Sequence, residues 1–204
     1  MTVQGSPEWK AERVGNATAS RFDDVQAKVK VGEAKGRIKY RVQLATERLT
    51  GNPVEGYQNA AMQWGIATEP EARMNYEAAR GVVVEEVGFV KHPKIPNCGA
   101  SPDGLVGSDG MVEIKCPEST THLTWMEAGV LPSEHVAQIQ GQMWVTGRQW
   151  VDFVSYDPRF PENLRLFIVR VPRDDAYIKD LEAEVRVFLA GVDAMVARLL
   201  KRAA

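Results

Sequence analysis

The chain has 204 residues, enough for one domain with a real core, and a residue usage ordinary for a soluble globular protein. No apolar run approaches the length of a membrane span and the polar opening MTVQGSPEWK has no signal-peptide core, so a single cytoplasmic domain over residues 1–204, with no membrane partner, is expected. A net charge of −2 excludes a uniformly basic nucleic-acid binder, and two cysteines (Cys98, Cys116) with three scattered histidines exclude a disulfide framework or a zinc site, leaving reduced, buried thiols.

Taken in order, Ser6-Pro7-Glu8-Trp9 opens a helix with Ser6 at the N-cap and Pro7 at the first helical position. Gly15 ends it, which puts Arg13 in the last turn. Thr18 or Ser20 can cap a second helix through Phe22 and Val25, whose N-terminus offers free N–H groups and a positive dipole end to a phosphate. Capping alone also explains Ser20. Between residues 28 and 41 stand Lys28, Lys30, Lys35, Arg37, Lys39 and Arg41 against the single acid Glu33, and Gly32 and Gly36 make this a basic loop or arm. It is either a DNA-binding stretch or a solvated loop, with the acids gathered on another face. Residues 41–49 form a helix closed by Gly51, and Asn52-Pro53 begins a loop.

Residues 59–80 read as helical, with Met62, Ile66, Met74 and Tyr76 as the apolar positions, Gly81 past the end, and a kink or restart at Pro70. Thr68-Glu69-Pro70-Glu71 fits a capping box. Residues 81–90 are strand-like, and a loop through His92-Pro93 and Ile95-Pro96 leads to GASPDGLVGSDGMVEIKCP, residues 99–117. In its second half, apolar and polar positions alternate. Met111, Glu113 and Lys115 therefore share one face of a strand, and Val112, Ile114 and Cys116 the other. Ser108-Asp109-Gly110 supplies a turn, so a strand over residues 99–105 can fold back and bring Asp103 beside Glu113. Two carboxylates with a lysine suit Mg²⁺ or Mn²⁺, which keep waters and take one or two protein carboxylates. A surface ion pair of Glu113 with Lys115 is the plainer alternative.

Beyond the hairpin, residues 133–148 form a helix capped by Ser133 and stopped by Gly147, with Val136, Ile139 and Met143 as its core stripe and His135, Gln138 and Gln142 opposite. Residues 150–156 and 164–171 alternate as two strands joined by Asp157-Pro158-Arg159-Phe160-Pro161. Asp174 caps a last helix whose stripe of Ile178, Leu181, Val185, Phe188, Val192, Met195 and Leu199 packs on the sheet or against a partner. The fold class is α/β, a central mixed sheet flanked by helices with the hairpin at its centre.

Ser101-Pro102-Asp103-Gly104 followed by Glu113-Ile114-Lys115-Cys116-Pro117 resembles the PD-(D/E)xK nuclease signature as carried by the phage lambda type alkaline exonucleases, the YqaJ-like viral recombinases. Segments 9–20, 61–73, 137–146 and Tyr156-Asp157-Pro158-Arg159 resemble that family in the same order, so the likeness covers most of the chain. The resemblance implies a restriction-endonuclease-like core and a Mg²⁺-dependent exonuclease, with Mn²⁺ as a substitute, that digests the 5′-ended strand of duplex DNA to mononucleotides. It implies metal ligation by Asp103, Glu113 and the Ile114 carbonyl, with Lys115 acting on the attacking water. Glu69 would be an extra acid beside the metal, and Gln138 would hydrogen-bond near Lys115 and substrate. Arg13, Ser20 and Ser101 would hold the 5′-phosphate. It further implies a ring-shaped homotrimer acting in recombination beside a single-strand annealing protein. His135 stands where the lambda type pattern has a tyrosine. The alternatives are a structure-specific or restriction-type endonuclease on the same core, and a DNA-end-binding protein without catalysis.

Overall fold

The computed structural model describes residues 2–54 and 59–203, and its architecture follows from one strand, β6 (Gly110–Lys115). That strand pairs antiparallel with β5 (Gly104–Val106) and parallel with β7 (Trp150–Tyr156). With β2 (Val84–Glu85) and β8 (Leu166–Pro172) at the edges, the five-stranded mixed sheet has the order β2-β5-β6-β7-β8. The two-residue alternation of β6 holds, and both of its faces are covered. Val112 and Ile114 meet Ala72 and Tyr76 of α4 (Ala60–Arg80), while Met111 meets Ile139 and Met143 of α6 (Val136–Thr146). Each such fully buried side chain contributes about 1.5–3 kcal/mol, and the sheet is thereby clamped between helices.

A second, three-stranded sheet of order β1-β4-β3 combines β1 (Ala17–Thr18), β3 (Val90–Lys91) and β4 (Cys98–Ala100). The single strand expected over residues 99–105 is therefore two strands in two sheets. Pro102 has no N–H for a ladder, and the Asp103 carboxylate accepts the Ile114 N–H at 2.7 Å, so Ser101-Pro102-Asp103 crosses from the small sheet to the large one. The expected strand over residues 81–90 is likewise split between β2 and β3.

Several helix boundaries differ from the expectation for local reasons. Helix α1 (Pro7–Arg13) is capped as anticipated, Ser6 Oγ accepting the Trp9 N–H at 3.1 Å. Neither Thr18 nor Ser20 caps the next helix: Ala19–Arg21 is a 3₁₀ turn, and α2 (Phe22–Gln26) follows it with no side-chain cap. The basic stretch is not all loop, because α3 (Lys35–Thr50) begins six residues before residue 41. Glu33 accepts from Arg37 and Arg41, one turn apart, and Tyr40 and Leu44 are buried on the same face, so the sequence carries a helix register that its charges conceal. Asn59 caps α4, which runs unbroken through Pro70; Thr68-Glu69-Pro70-Glu71 lies inside it and is no capping box. Of the apolar positions assigned to that helix only Tyr76 is buried, and Met62, Ile66 and Met74 face outward. The loop begun by Asn52-Pro53 passes into residues outside those described.

Helix α5 (Ser119–Ala128) was not anticipated: its threonines and mixed polarity give no helical stripe, and its buried His122 holds Ser155 Oγ at 2.7 Å and the Leu164 carbonyl at 2.9 Å. Ser133 does not cap α6, which is entered through a 3₁₀ turn over Ser133–His135. Asp174 does cap α7 (Asp175–Ala203), accepting the Tyr177 N–H at 2.9 Å. The stripe of α7 packs on α2, α3 and α6, with Phe188 stacked on Tyr40 at 5.3 Å, rather than on the large sheet, although Leu199 stays exposed. Cys98 is buried, Cys116 is half-buried, and both are free thiols.

Candidate active site

Asp103, Glu113 and Lys115 converge because β5 and β6 pair in register and the crossover from the small sheet ends beside β6. Lys115 Nζ donates to Glu113 Oε1, so the expected shared face is observed as a direct contact. Helix α6 crosses this face of the sheet and closes on the same carboxylate. Gln138 donates to Glu113 Oε1, and Gln142, one turn later, donates to Oε2 at 2.6 Å. Glu113 is thus 1% exposed yet held by three donors, which is what a buried carboxylate requires. On another side of the helix Gly141 lets α6 lie close to α2: a Cβ there would stand 2.3 Å from the Phe22 ring.

Burial and the neighbouring charges of Glu113 and Glu69 push the Asp103 carboxyl well above the usual carboxylate range, in spite of the Ile114 N–H. Burial pulls the Lys115 ammonium down, but Glu113 and Asp103 outweigh it and raise its pKa, so Lys115 is a charged donor in this arrangement. Glu69 stands at the edge of the group and accepts from Arg73 Nη2 at 2.7 Å; burial raises its pKa. Among the described residues no group of three or more His, Cys, Asp or Glu side chains gathers closely enough to hold a metal. What is offered is the pair Asp103 and Glu113, hard oxygen donors of the number that Mg²⁺ takes from protein while keeping waters. A cation would offset the charge that burial makes costly here, so the donor set fits one.

Two of the three expected phosphate ligands meet directly. Arg13 Nη1 and Trp9 Nε1 both donate to Ser101 Oγ at 3.0 Å, and the Arg13 guanidinium lies 4.2 Å over the Trp9 ring. Ser101 therefore has its own O–H left to give. Ser20 lines the same cleft from the 3₁₀ turn, with no helix N-terminus of its own, and its Oγ lies 3.3 Å from Thr18 Oγ1. The cleft, about 160 Å³, is bounded by Gln4, Trp9, Arg13, Ser20, Ser101, Asp103, Glu113, Lys115, Gln138 and Gln142. The residues expected to hold the phosphate and the carboxylates thus share one space.

The chain belongs to the YqaJ-like viral recombinase family. That family's domain pattern matches residues 8–149. Crystal structures of an alkaline exonuclease from Laribacter hongkongensis, LHK-Exo, one of them a complex with dAMP, are 46% identical and superpose with a TM-score of 0.91, covering 97% of this chain and 98% of that one. A phage-related exonuclease from Haemophilus somnus 129PT shares the fold at 17% identity, with a TM-score of 0.70 over 90% of this chain and 96% of that one. No match was found among curated proteins.

Of the basic residues assigned to DNA, Lys30, Lys35 and Lys39 are exposed, and Lys28 is exposed beside Glu184 at 3.3 Å. Arg37 is turned inward, paired with Glu33 and Glu184 at 3.1 Å and donating to the Val25 carbonyl, so it fastens α3 to α7 and is not available to a phosphate. Gln142, on the helix face opposite the core stripe, is buried nonetheless. Its one signal in the sequence is a spacing of four from Gln138. His135 packs between Trp125 and Phe153 at 5.3 and 5.2 Å, with burial and Lys115 lowering its pKa, and no contact ties it to the carboxylates. No helix among the described residues is long and apolar enough to cross a membrane.

Proposed function

We propose that this recombinase-family chain is a Mg²⁺-dependent exonuclease that digests the 5′-ended strand of duplex DNA to 5′-mononucleotides and leaves a 3′ single-stranded tail for recombination. The observation that carries the reading is the shared cleft, with Arg13 and Ser101 at one end and Asp103, Glu113 and Lys115 at the other. The dAMP held by the 46%-identical alkaline exonuclease is the kind of product such a cleft would release.

Asp103, Glu113 and the Ile114 carbonyl would hold Mg²⁺, with Mn²⁺ as a substitute, and the bound ion would stabilise charge on the scissile phosphate and acidify a water. Lys115, kept charged by its two carboxylate neighbours, orients the attacking water through an N–H donor. Gln138 and Gln142 fix both oxygens of Glu113, and Glu69 adds negative charge at the edge. Arg13, with Ser101 and Ser20, takes the terminal phosphate and sets how far the strand enters. Lys28, Lys30, Lys35 and Lys39 follow the duplex outside. The working form would be a ring-shaped homotrimer in the cytoplasm, acting with a single-strand annealing protein.

Digestion of 5′-phosphorylated, 5′-hydroxyl and circular duplexes with Mg²⁺ tests the reading. Rapid release of mononucleotides from the first, slow release from the second and none from the third is expected. Cutting of the circle would make the chain an endonuclease, and binding to ends without release would make it an end-binding protein. Light scattering reads the trimer separately.

A further inference from the structure

The segment Tyr156-Asp157-Pro158-Arg159 follows β7 and has no part in the cleft described above. Asp157 is fully buried, and its two oxygens are fully engaged. It accepts Ser119 Oγ at 2.7 Å, the Arg159 backbone N–H at 3.0 Å, Arg159 Nε at 2.7 Å and Arg159 Nη2 at 2.9 Å. Arg159 Nη2 also donates to the Pro117 carbonyl at 3.2 Å, and the guanidinium lies 4.7 Å over the ring of Trp64 from α4. Of the five N–H donors of the guanidinium, these contacts use three. The remaining two, both on Nη1, have no acceptor among the described residues, and the Arg159 side chain is 47% exposed.

This is a fork held rigid along one edge and open along the other. Because Asp157 is buried and Arg159 is not, the pair turns its positive end outward. Its position is equally specific. Lys115 ends β6; Ser101 and Asp103 flank that end on the β5 side, and Asp157 and Arg159 flank it on the β7 side, with Pro117, two residues after Lys115, touching Arg159. A strand anchored at Arg13 and Ser101 and crossing Asp103, Glu113 and Lys115 would continue toward Arg159.

We infer that Arg159 is a second phosphate-binding residue, which grips the backbone phosphate one nucleotide to the 3′ side of the scissile bond and holds the strand taut across the cleft between two anion contacts. This rests on the exonuclease reading, which supplies the strand and its direction. A guanidinium whose fork is fixed beforehand loses little conformational freedom on binding, so the contact is strong for one side chain.

The test is release of the first mononucleotide in a single turnover, from a 5′-phosphorylated duplex and from the same duplex with a neutral methylphosphonate at the second internucleotide linkage. Wild-type protein should release it roughly ten- to a hundredfold more slowly from the modified duplex, as expected for the loss of one charged hydrogen-bonding partner. A methylphosphonate at the fifth linkage should change little. In Arg159→Gln, and in Arg159→Lys, which keeps the charge but not the fork, the unmodified duplex should be slowed and the second-linkage modification should add almost nothing. A variant that slows both duplexes by the same factor would show that Arg159 only braces the loop, and would overturn the inference. If Arg159→Gln does not fold, the wild-type comparison of second against fifth linkage decides alone: equal rates overturn the inference. No release from any 5′ end would overturn the exonuclease reading itself, and this inference with it.

Discussion

Glu113 is held from two elements at once, as a buried carboxylate requires, with a donor on each oxygen. Gln142 supplies the one on Oε2. Gln142→Leu should leave that oxygen unpaired at a cost of about 1–3 kcal/mol. The Mg²⁺ concentration giving half-maximal cleavage should then rise, with the fold kept by circular dichroism; an unchanged Mg²⁺ requirement would mean that Gln142 only fills space. Arg13 makes a sharper residue-level claim. Its Nη1 already holds Ser101, and removing it takes a charged partner from any phosphate at that serine. Arg13→Ala should slow 5′-phosphorylated duplex by roughly ten- to a hundredfold and 5′-hydroxyl duplex little, in rates measured side by side. Equal slowing of both would move Arg13 out of the phosphate pocket.

At the scale of elements, the site depends on how near α6 comes to the 3₁₀ turn that carries Ser20. Gly141 sets that distance, and nothing larger fits without moving Phe22. Gly141→Ala should therefore cost about 1–3 kcal/mol by overpacking, read as a lower urea midpoint. Because Gln138 and Gln142 flank the glycine, activity should fall by more than the loss of folded protein. Elements were also where the sequence was least uniformly legible. Strand β6 could be read because its period of two is unbroken, and Asp103 could be paired with Glu113 from the turn between them. The crossover at Pro102 could not, since a proline within seven residues of turn-rich sequence fits one bent strand as well as two. Helix α3 was hidden by its charges: Lys35, Arg37, Lys39 and Arg41 look solvated until Glu33 is seen to pair with two of them, Arg37 one turn on and Arg41 two turns on. Helix α4 misled in the opposite direction. Its methionines and isoleucine mark an outward face, and the contact with β6 is made by Ala72 and Tyr76, small and amphipathic residues that a hydrophobic stripe does not single out.

For the molecule as a whole, ion pairs rather than net charge fasten the pieces together. Asp157 ties the link after β7 to α5 through Ser119, and reaches Trp64 of α4 through Arg159. Burial would raise its carboxyl, but the hydrogen bonds from Arg159 and Ser119 prevail and hold it at about 2, below the ordinary 3.8. A carboxyl lowered on folding adds stability that is complete above its unfolded pKa and is lost as pH falls through the folded one. The Asp157 contribution should thus be full above about pH 4 and fade between about 4 and 2. Asp157→Asn should be less stable than wild type at neutral pH, with the two unfolding curves drawing together as pH approaches 2. A gap that stays constant over that window would mean that the carboxylate charge is not what holds the link.

The crossover Ser101-Pro102-Asp103 links the small sheet to the large one. In the proposed function Ser101 would serve a phosphate and Asp103 a cation, and a single proline separates them on a strap stretched between two sheets. Filling either end should fix the strap and stiffen it for the other. The two ligands would then be heterotropic effectors of each other, and reciprocity requires each to change the affinity of the other by the same factor. Phosphate titrated with and without Mn²⁺, and Mn²⁺ with and without phosphate, should give one coupling constant from both directions. Pro102→Gly, which loosens the strap, should bring that constant toward one while leaving both sets of ligands in place.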